Sequence, residues 1–225
     1  MRLVVYNSKG GSTKTSVTIN LAAGFAAAGK RVLLNDQDRM NGSLAWASIS
    51  EETPFTVGRG SSPGFDIEIV DMPPNEPVKG VLPDADLYIV PTLLDGGSYV
   101  VFLRTIALLE EHGKPYLVVA NRYLPRRAEH KRRLKEERTL KGAILIKERA
   151  VLSSFYERGT TVFGMKGKWA EQAQQEFVQL ADAVHAKLKA LADKQRRVER
   201  RTSASARKGV SRPTHDRLNR ARKQA

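Results

Sequence analysis

The chain has 225 residues, 38 Lys and Arg against 24 Asp and Glu for a net charge of +14, and no cysteine. That length admits one well-buried domain plus a tail, or two small domains, and the first is expected. Lack of cysteine excludes disulfides, thiolate metal sites, thiol catalysis and cysteine-bound iron–sulfur clusters, and fits a reducing cytoplasm.

Leu3-Val4-Val5-Tyr6 forms a short apolar run of buried-strand type. The next notable stretch is Lys9-Gly10-Gly11-Ser12-Thr13-Lys14-Thr15-Ser16, followed by Val17, Leu21, Phe25 and Ala28 at helical spacing up to Gly29. A glycine-rich turn between a strand and a helix lets backbone N–H groups approach a polyphosphate, and the helix N-terminus adds partial positive charge. Lys14 is then expected at the β- and γ-phosphates and the Thr15 hydroxyl on Mg²⁺. The regular pattern G-x-x-x-x-G-K-[ST] is not met, because Ser8 and Thr13 stand at its glycine positions.

Arg31-Val32-Leu33-Leu34-Asn35 reads as a second buried strand ending in Asp36-Gln37-Asp38. Carboxylates at the C-terminal end of a strand face the ligand crevice of an open α/β sheet. A short helix is expected around Ser43–Ala47 and a short strand at Phe55–Val57. Phe65 to Pro74 contains Ile67, Ile69 and Val70 before Asp71 and has the form of a Walker B strand, whose acid holds Mg²⁺ through a bound water.

Leu87–Pro91 is another buried strand, Ser98–His112 a largely apolar helix, and Pro115–Asn121 a further strand. Strands alternating with helices predict a doubly wound, mostly parallel sheet flanked by helices. Asn121 ends its strand on the ligand side, placed either to hydrogen-bond a base or to cap the following turn. From Arg122 to Lys141 there are nine Lys and Arg and three Glu. Such a run is either a solvated helix face or, since this excess lacks matching acids for i,i+4 pairs, a set of phosphate contacts with Arg126, Arg127, Lys131, Arg132 and Arg133 as candidates.

Ala143–Ile146 is a short apolar segment, with a helix through Phe155-Tyr156. Ala173, Phe177, Leu180, Val184, Leu188 and Leu191 then form one apolar stripe on a helix expected to pack on the sheet. Residues 193–225 hold +9 of the +14 charge and three large aliphatic residues, Val198, Val210 and Leu218. They are expected to form a basic arm that need not fold, leaving residues 1–192 as the domain. Arg196, Arg197, Arg200, Arg201, Arg207 and Lys208 are its candidate nucleic-acid contacts. The four histidines are scattered, without ligand spacing.

The phosphate loop, Asp36-Gln37-Asp38 and the Phe65–Pro74 strand together resemble the deviant-Walker P-loop ATPases of the ParA/MinD family, over about residues 1–190. The resemblance implies ATP and Mg²⁺ as ligands and an ATP-sandwich homodimer. In it Lys9 crosses to the partner's phosphates while Lys14 serves its own nucleotide. It also implies that Lys9 to Ser16 cradle the phosphates, that Asp36 positions the attacking water, that Thr15, Asp36 and Asp71 serve the metal, and that Asn121 lies near the adenine. Thr13 stands where the family commonly has glycine, and Arg39-Met40 where it has Pro-Gln.

With its first strand beginning at residue 2, the chain resembles a small partition ATPase. Such proteins bind duplex DNA without sequence preference as ATP dimers, in the nucleoid, and release it on hydrolysis stimulated by a small centromere-binding partner. Three alternatives stay open: an adapter ATPase of conjugation or secretion machinery, a MinD-like membrane positioner, and an ATP-dependent ligase of similar fold. The membrane reading needs a C-terminal amphipathic helix that residues 193–225 lack. No apolar run reaches the roughly 18–20 residues that span a bilayer, so stable membrane insertion is not expected.

Overall fold

The computed structural model of the chain describes residues 1–75, 77 and 80–209, with 201–209 as backbone alone. In chain order the elements are β1 (Arg2–Val5), α1 (Lys14–Ala27), β2 (Val32–Asp36), α2 (Gly42–Ile49), β3 (Thr56–Gly58), β4 (Ile67–Asp71) and β5 (Leu87–Thr92). They continue with α3 (Gly96–Glu111), β6 (Tyr116–Tyr123), α4 (Ala128–Glu136), β7 (Ile144–Lys147), α5 (Val151–Glu157) and α6 (Lys168–Gly209). The chain divides into two units, Met1–His185 and a second beginning at Ala186.

The strands form one seven-stranded sheet in the order β3-β2-β4-β1-β5-β6-β7, and every pairing is parallel. β1 lies at its centre with β4 on one side and β5 on the other. The chain thus winds outward in opposite directions from the C-terminal end of β1, which opens a crevice there. This is the expected doubly wound architecture.

Both faces of the sheet are covered, so its central strands are mostly apolar rather than alternating, with polar residues such as Asp36, Asp71 and Asn121 toward their C-terminal ends. Val4, Val70, Tyr88, Val90, Val118 and Ala120 pack with Tyr99, Phe102, Ile106 and Leu109 of α3. The alternate residues Leu3, Val5, Ile69, Leu87 and Ile89 are buried on the opposite face. α1 packs along β1, β2, β4 and β5 and is buried almost all round from Val17 to Phe25, as a helix without a polar face must be. α6 covers it, with His185 edge-on to Phe25 at 5.4 Å. The buried ion pair of Arg149 with Glu176, at 2.6 Å, fixes α6 to the loop after β7. Gly159 is required where α5 turns back on α2: its φ is +55°, and a Cβ would lie 2.4 Å from the Ile49 carbonyl oxygen.

Ala173, Phe177, Leu180 and Val184 of the expected stripe are buried. α6 does not stop near Leu191 but runs on to Gly209, so the arm is helical as far as it is described. Ala, Lys, Arg, Gln and Glu dominate this stretch, and these residues favour helix without an apolar stripe; Gln195 also donates to Glu199 four residues on, at 3.3 Å. Residues 210–225 lie outside the described residues.

Candidate nucleotide site

The phosphate loop begins where β1 ends, and Asn7 shapes that end. Its Nδ2 donates to the Pro91 carbonyl at 2.7 Å and its Oδ1 accepts from the Lys9 N–H at 3.0 Å. Pro91 has no N–H for a sheet ladder, but β1 has already ended beside it, and the Asn7 amide takes the place of the strand. Ser8 is tied to α3 through its hydroxyl and the Thr105 hydroxyl, 3.1 Å apart. Gly11 has φ +70°, which lets the loop turn its backbone inward.

Thr13 is more unusual. It is the residue before α1, sits in the left-handed region at φ 65°, ψ 24°, and gives the helix no side-chain cap. A left-handed conformation costs a residue with a Cβ about 1–2 kcal/mol. The Thr13 hydroxyl donates to the Ser12 carbonyl and accepts from Asn121 Nδ2 at 2.5 Å. The N–H groups of the first turn of α1 have no side-chain partner of the capping kind, leaving donors and the positive end of the helix dipole at the loop.

The two lysines occupy different environments. Lys14 is 6% exposed; its Nζ lies inside its own loop, donating to the Lys9 carbonyl at 3.2 Å and the Ser12 hydroxyl at 3.5 Å. Burial lowers its pKa below the usual lysine range, against the opposing charges of Asp71 and Asp38. Lys9 is partly exposed. Its Nζ points toward the start of α3, 4.0 Å from where a Cβ on Gly97 would lie. There its charge acts on Asp95, which caps α3 by accepting from the Ser98 N–H at 2.9 Å. Burial acts to raise the Asp95 carboxyl, but the Ser98 hydrogen bonds and the Lys9 charge hold it below the usual range.

Asp36 and Asp71 are partners in the β2–β4 register. Asp36 is fully buried, with Oδ1 accepting from the Asp38 N–H and Oδ2 from the Leu44 N–H, both at 3.0 Å. Asp71 accepts from Ser43 Oγ at 3.0 Å and Thr18 Oγ1 at 3.3 Å. Burial pushes its carboxyl up to about 6, with Asp36 adding to the rise and Thr15, Ser43 and Lys14 opposing it. Two adjacent carboxylates beside the Thr15 hydroxyl are a set of hard oxygen donors that suits a divalent cation. The start of α2 closes on this group: a Cβ on Gly42 would meet Thr15 Oγ1 at 3.3 Å. Asn7, Thr18 and Ser43 were not singled out in the sequence. Asn7, directly after a buried strand, carried the only local signal; the others meet Asp71 through tertiary packing.

The expected site residues therefore converge. Lys9 to Ser16, Asp36, Asp71 and Asn121 gather at the C-terminal ends of β1, β2, β4 and β6. Among the described residues three non-glycine positions have positive φ, Thr13, Asn41 and Arg122, and each lies in a loop or strand end at this edge.

The basic candidates fare differently. Arg126, Arg127, Lys131 and Arg132 are exposed on and before α4. Arg133, expected with them, is instead a structural tie: its Nε donates to the Leu94 carbonyl at 3.0 Å, its Nη2 to Glu129 at 3.1 Å, and its guanidinium lies 4.5 Å over the Tyr99 ring. In the second unit Arg196, Arg197 and Arg200 are exposed, while the side chains of Arg201, Arg207 and Lys208 lie outside the described residues.

A central strand that feeds a two-lysine glycine loop and a helix N-terminus, with acids ending β2 and β4 on one side of it, defines a P-loop NTPase-like α/β protein. Residues 3–162 match the CobQ/CobB/MinD/ParA nucleotide binding domain, and the chain belongs to that family. The chain is 28% identical over 205 residues to the maintenance of carboxysome distribution protein A of Gloeobacter kilaueensis, covering 80% of this chain and 92% of that protein. Its fold is similar to a putative plasmid partition protein of Borrelia burgdorferi bound to AMPPNP, with TM-score 0.65, 14% identity, and 79% and 96% of the two chains covered. It is likewise similar to the MinC:MinD cell division protein complex of Aquifex aeolicus, with TM-score 0.65, 20% identity, and 82% and 96% covered.

Proposed function

We propose that this chain is a Mg²⁺-dependent ATPase of the partition type, forming an ATP-sandwich homodimer that holds duplex DNA without sequence preference and releases it on hydrolysis. The observation that carries this reading is the division between the lysines. Lys14 is buried in its own loop, where it meets its own phosphates, whereas Lys9 faces outward across the start of α3, where a second subunit's nucleotide would lie. A lysine used between subunits makes dimerisation depend on the polyphosphate.

In this reading the loop N–H groups and Lys14 bind the phosphates. Asp36, fixed by two backbone donors, orients the attacking water and accepts its proton. Thr15 and Asp71, hard oxygen donors, would hold the Mg²⁺. When bound, it would supply neutralisation of charge developing on the transferred phosphoryl group. Thr18 and Ser43 hold Asp71 in place.

Exposed Arg126, Arg127, Lys131 and Arg132, with Arg196, Arg197 and Arg200, support phosphate-backbone contact, which is salt-sensitive and tolerant of sequence. A small partner protein would couple the ATPase to its cargo, and the protein would be cytoplasmic and nucleoid-associated. Among the described residues no helix is long and apolar enough to cross a membrane. The relative named for carboxysome distribution favours a second reading of the cargo, a protein body instead of a plasmid, with the same ATP and DNA cycle.

The test is a gel shift on unrelated duplexes with ATP, with ADP and with no nucleotide. Retention only with ATP is expected; equal retention in all three would end the ATP-switch reading.

A further inference from the structure

The geometry points to Asn121 as a positioning residue of the phosphate loop, acting through the Thr13 hydroxyl. This rests on the nucleotide reading above and adds to it a residue 108 positions away from the loop it holds.

Both ends of the Asn121 amide are engaged. Nδ2 donates to Thr13 Oγ1 at 2.5 Å, and Oδ1 accepts from the Arg122 N–H at 2.9 Å. The orientation is set by the network, because a flipped amide would put NH₂ against the Arg122 N–H. Asn121 is 5% exposed, so losing either partner would leave a buried polar group unpaired. The two residues it joins, Thr13 and Arg122, are both left-handed, at φ 65° and 52°.

Thr13 is where the strain matters. It stands at the glycine position of the phosphate-loop pattern, immediately before the lysine and hydroxyl that face the phosphates. A glycine adopts this conformation freely, whereas a β-branched residue does so only when its surroundings over-determine it. The Thr13 hydroxyl meets one acceptor, the Ser12 carbonyl, and one donor, Asn121. The amide therefore holds in place a backbone turn that the loop's own sequence disfavours, and Lys14 and the first N–H groups of α1 are aimed by that turn. Threonine and asparagine here act as one device, in which Asn121 is needed because Thr13 is not glycine.

The experiment is a cycle on the full chain, using Thr13→Gly, Asn121→Ala and the double variant, with Kd measured for Mg·ATP and for Mg·tripolyphosphate, which has no base. Asn121→Ala should weaken both ligands by the same factor, about 5–30-fold, the scale of one lost buried hydrogen bond. In the Thr13→Gly background it should cost less than about 2-fold, since a glycine needs no holding. Thr13→Val, which keeps the branch and loses the hydroxyl, should reproduce Asn121→Ala, and Thr13→Ser should stay near the parent.

Loss of ATP affinity with tripolyphosphate unchanged would assign Asn121 to the base and overturn the proposal. An equal loss in the Thr13→Gly background would also overturn it. Amide hydrogen exchange of residues 10–14 without nucleotide gives an independent reading: faster exchange in Asn121→Ala, not seen when the double variant is compared with Thr13→Gly, supports the proposal, and unchanged exchange overturns it. If the parent bound neither ligand, the nucleotide reading would fail, and the exchange measurement would still decide the role of Asn121.

Discussion

Asp36 and Asp71 stand side by side as register partners on β2 and β4, yet they are held differently: Asp36 by backbone N–H groups and Asp71 by hydroxyls. Two buried carboxylates at one level of a sheet cannot both ionise cheaply. Asp71 carries the consequence, raised by burial to about 6.

A raised native pKa means that the folded protein holds this proton more tightly than the unfolded chain does. The associated stability is present below about pH 4 and is lost as pH rises through 6, by an amount on the order of 3 kcal/mol. Asp71→Asn should therefore stabilise the nucleotide-free protein at pH 8 and flatten the change in stability between pH 4 and 6. Urea unfolding at several pH values checks this; a variant less stable than the parent at pH 8 would contradict it. The same substitution should weaken Mg²⁺-dependent ATP binding.

Asp36→Ala removes the candidate water-positioning group without touching the loop. ATP binding should persist, while phosphate release falls by about 100-fold or more, the usual scale for a general base. The ATP-bound dimer should then be long-lived on size exclusion. Parent turnover would show that the catalytic base lies elsewhere.

The two lysines should separate cleanly. Lys14→Ala should abolish ATP binding, because the amine inside the loop is lost. Lys9→Ala should bind ATP within a few-fold of the parent yet sediment as a monomer with ATP. A Lys9→Ala protein that still dimerised with ATP would remove the argument for a lysine acting between subunits.

Arg126, Arg127, Lys131 and Arg132 differ from Arg133 in exposure, and DNA binding should report it. Substituting the first four by alanine should lower the slope of log affinity against log salt by about 0.9 for each DNA phosphate that the protein no longer neutralises. Truncation after Leu191 should lower it further. Arg133→Ala should leave the slope alone and lower stability by about 1–3 kcal/mol, since it unties α4 from Leu94 and Tyr99. A steep loss of slope in Arg133→Ala would reverse that assignment.

Much of this was legible in the residues. Apolar runs of strand length alternating with helical spacing determined the parallel sheet, because strands covered on both faces read as near-continuous apolar runs. Lys9 to Ser16 and the acids ending their strands determined the candidate site, because phosphate chemistry needs those residue types in those places. The extent of α6 was not legible, since helix-forming residues without an apolar stripe read equally as a solvated arm.

Only the tertiary structure decided what each polar group faces. Spacing marked Arg133 as one charge among several, and packing turned it inward to Leu94. Spacing left Asn121 between a base and a cap; the fold brought it to Thr13, and with it a reason for a threonine at a glycine position of the phosphate pattern. Local sequence specifies conformations and chemical types, but a hydrogen bond across 108 residues exists only once the sheet has placed β1 and β6 with their ends at the same edge.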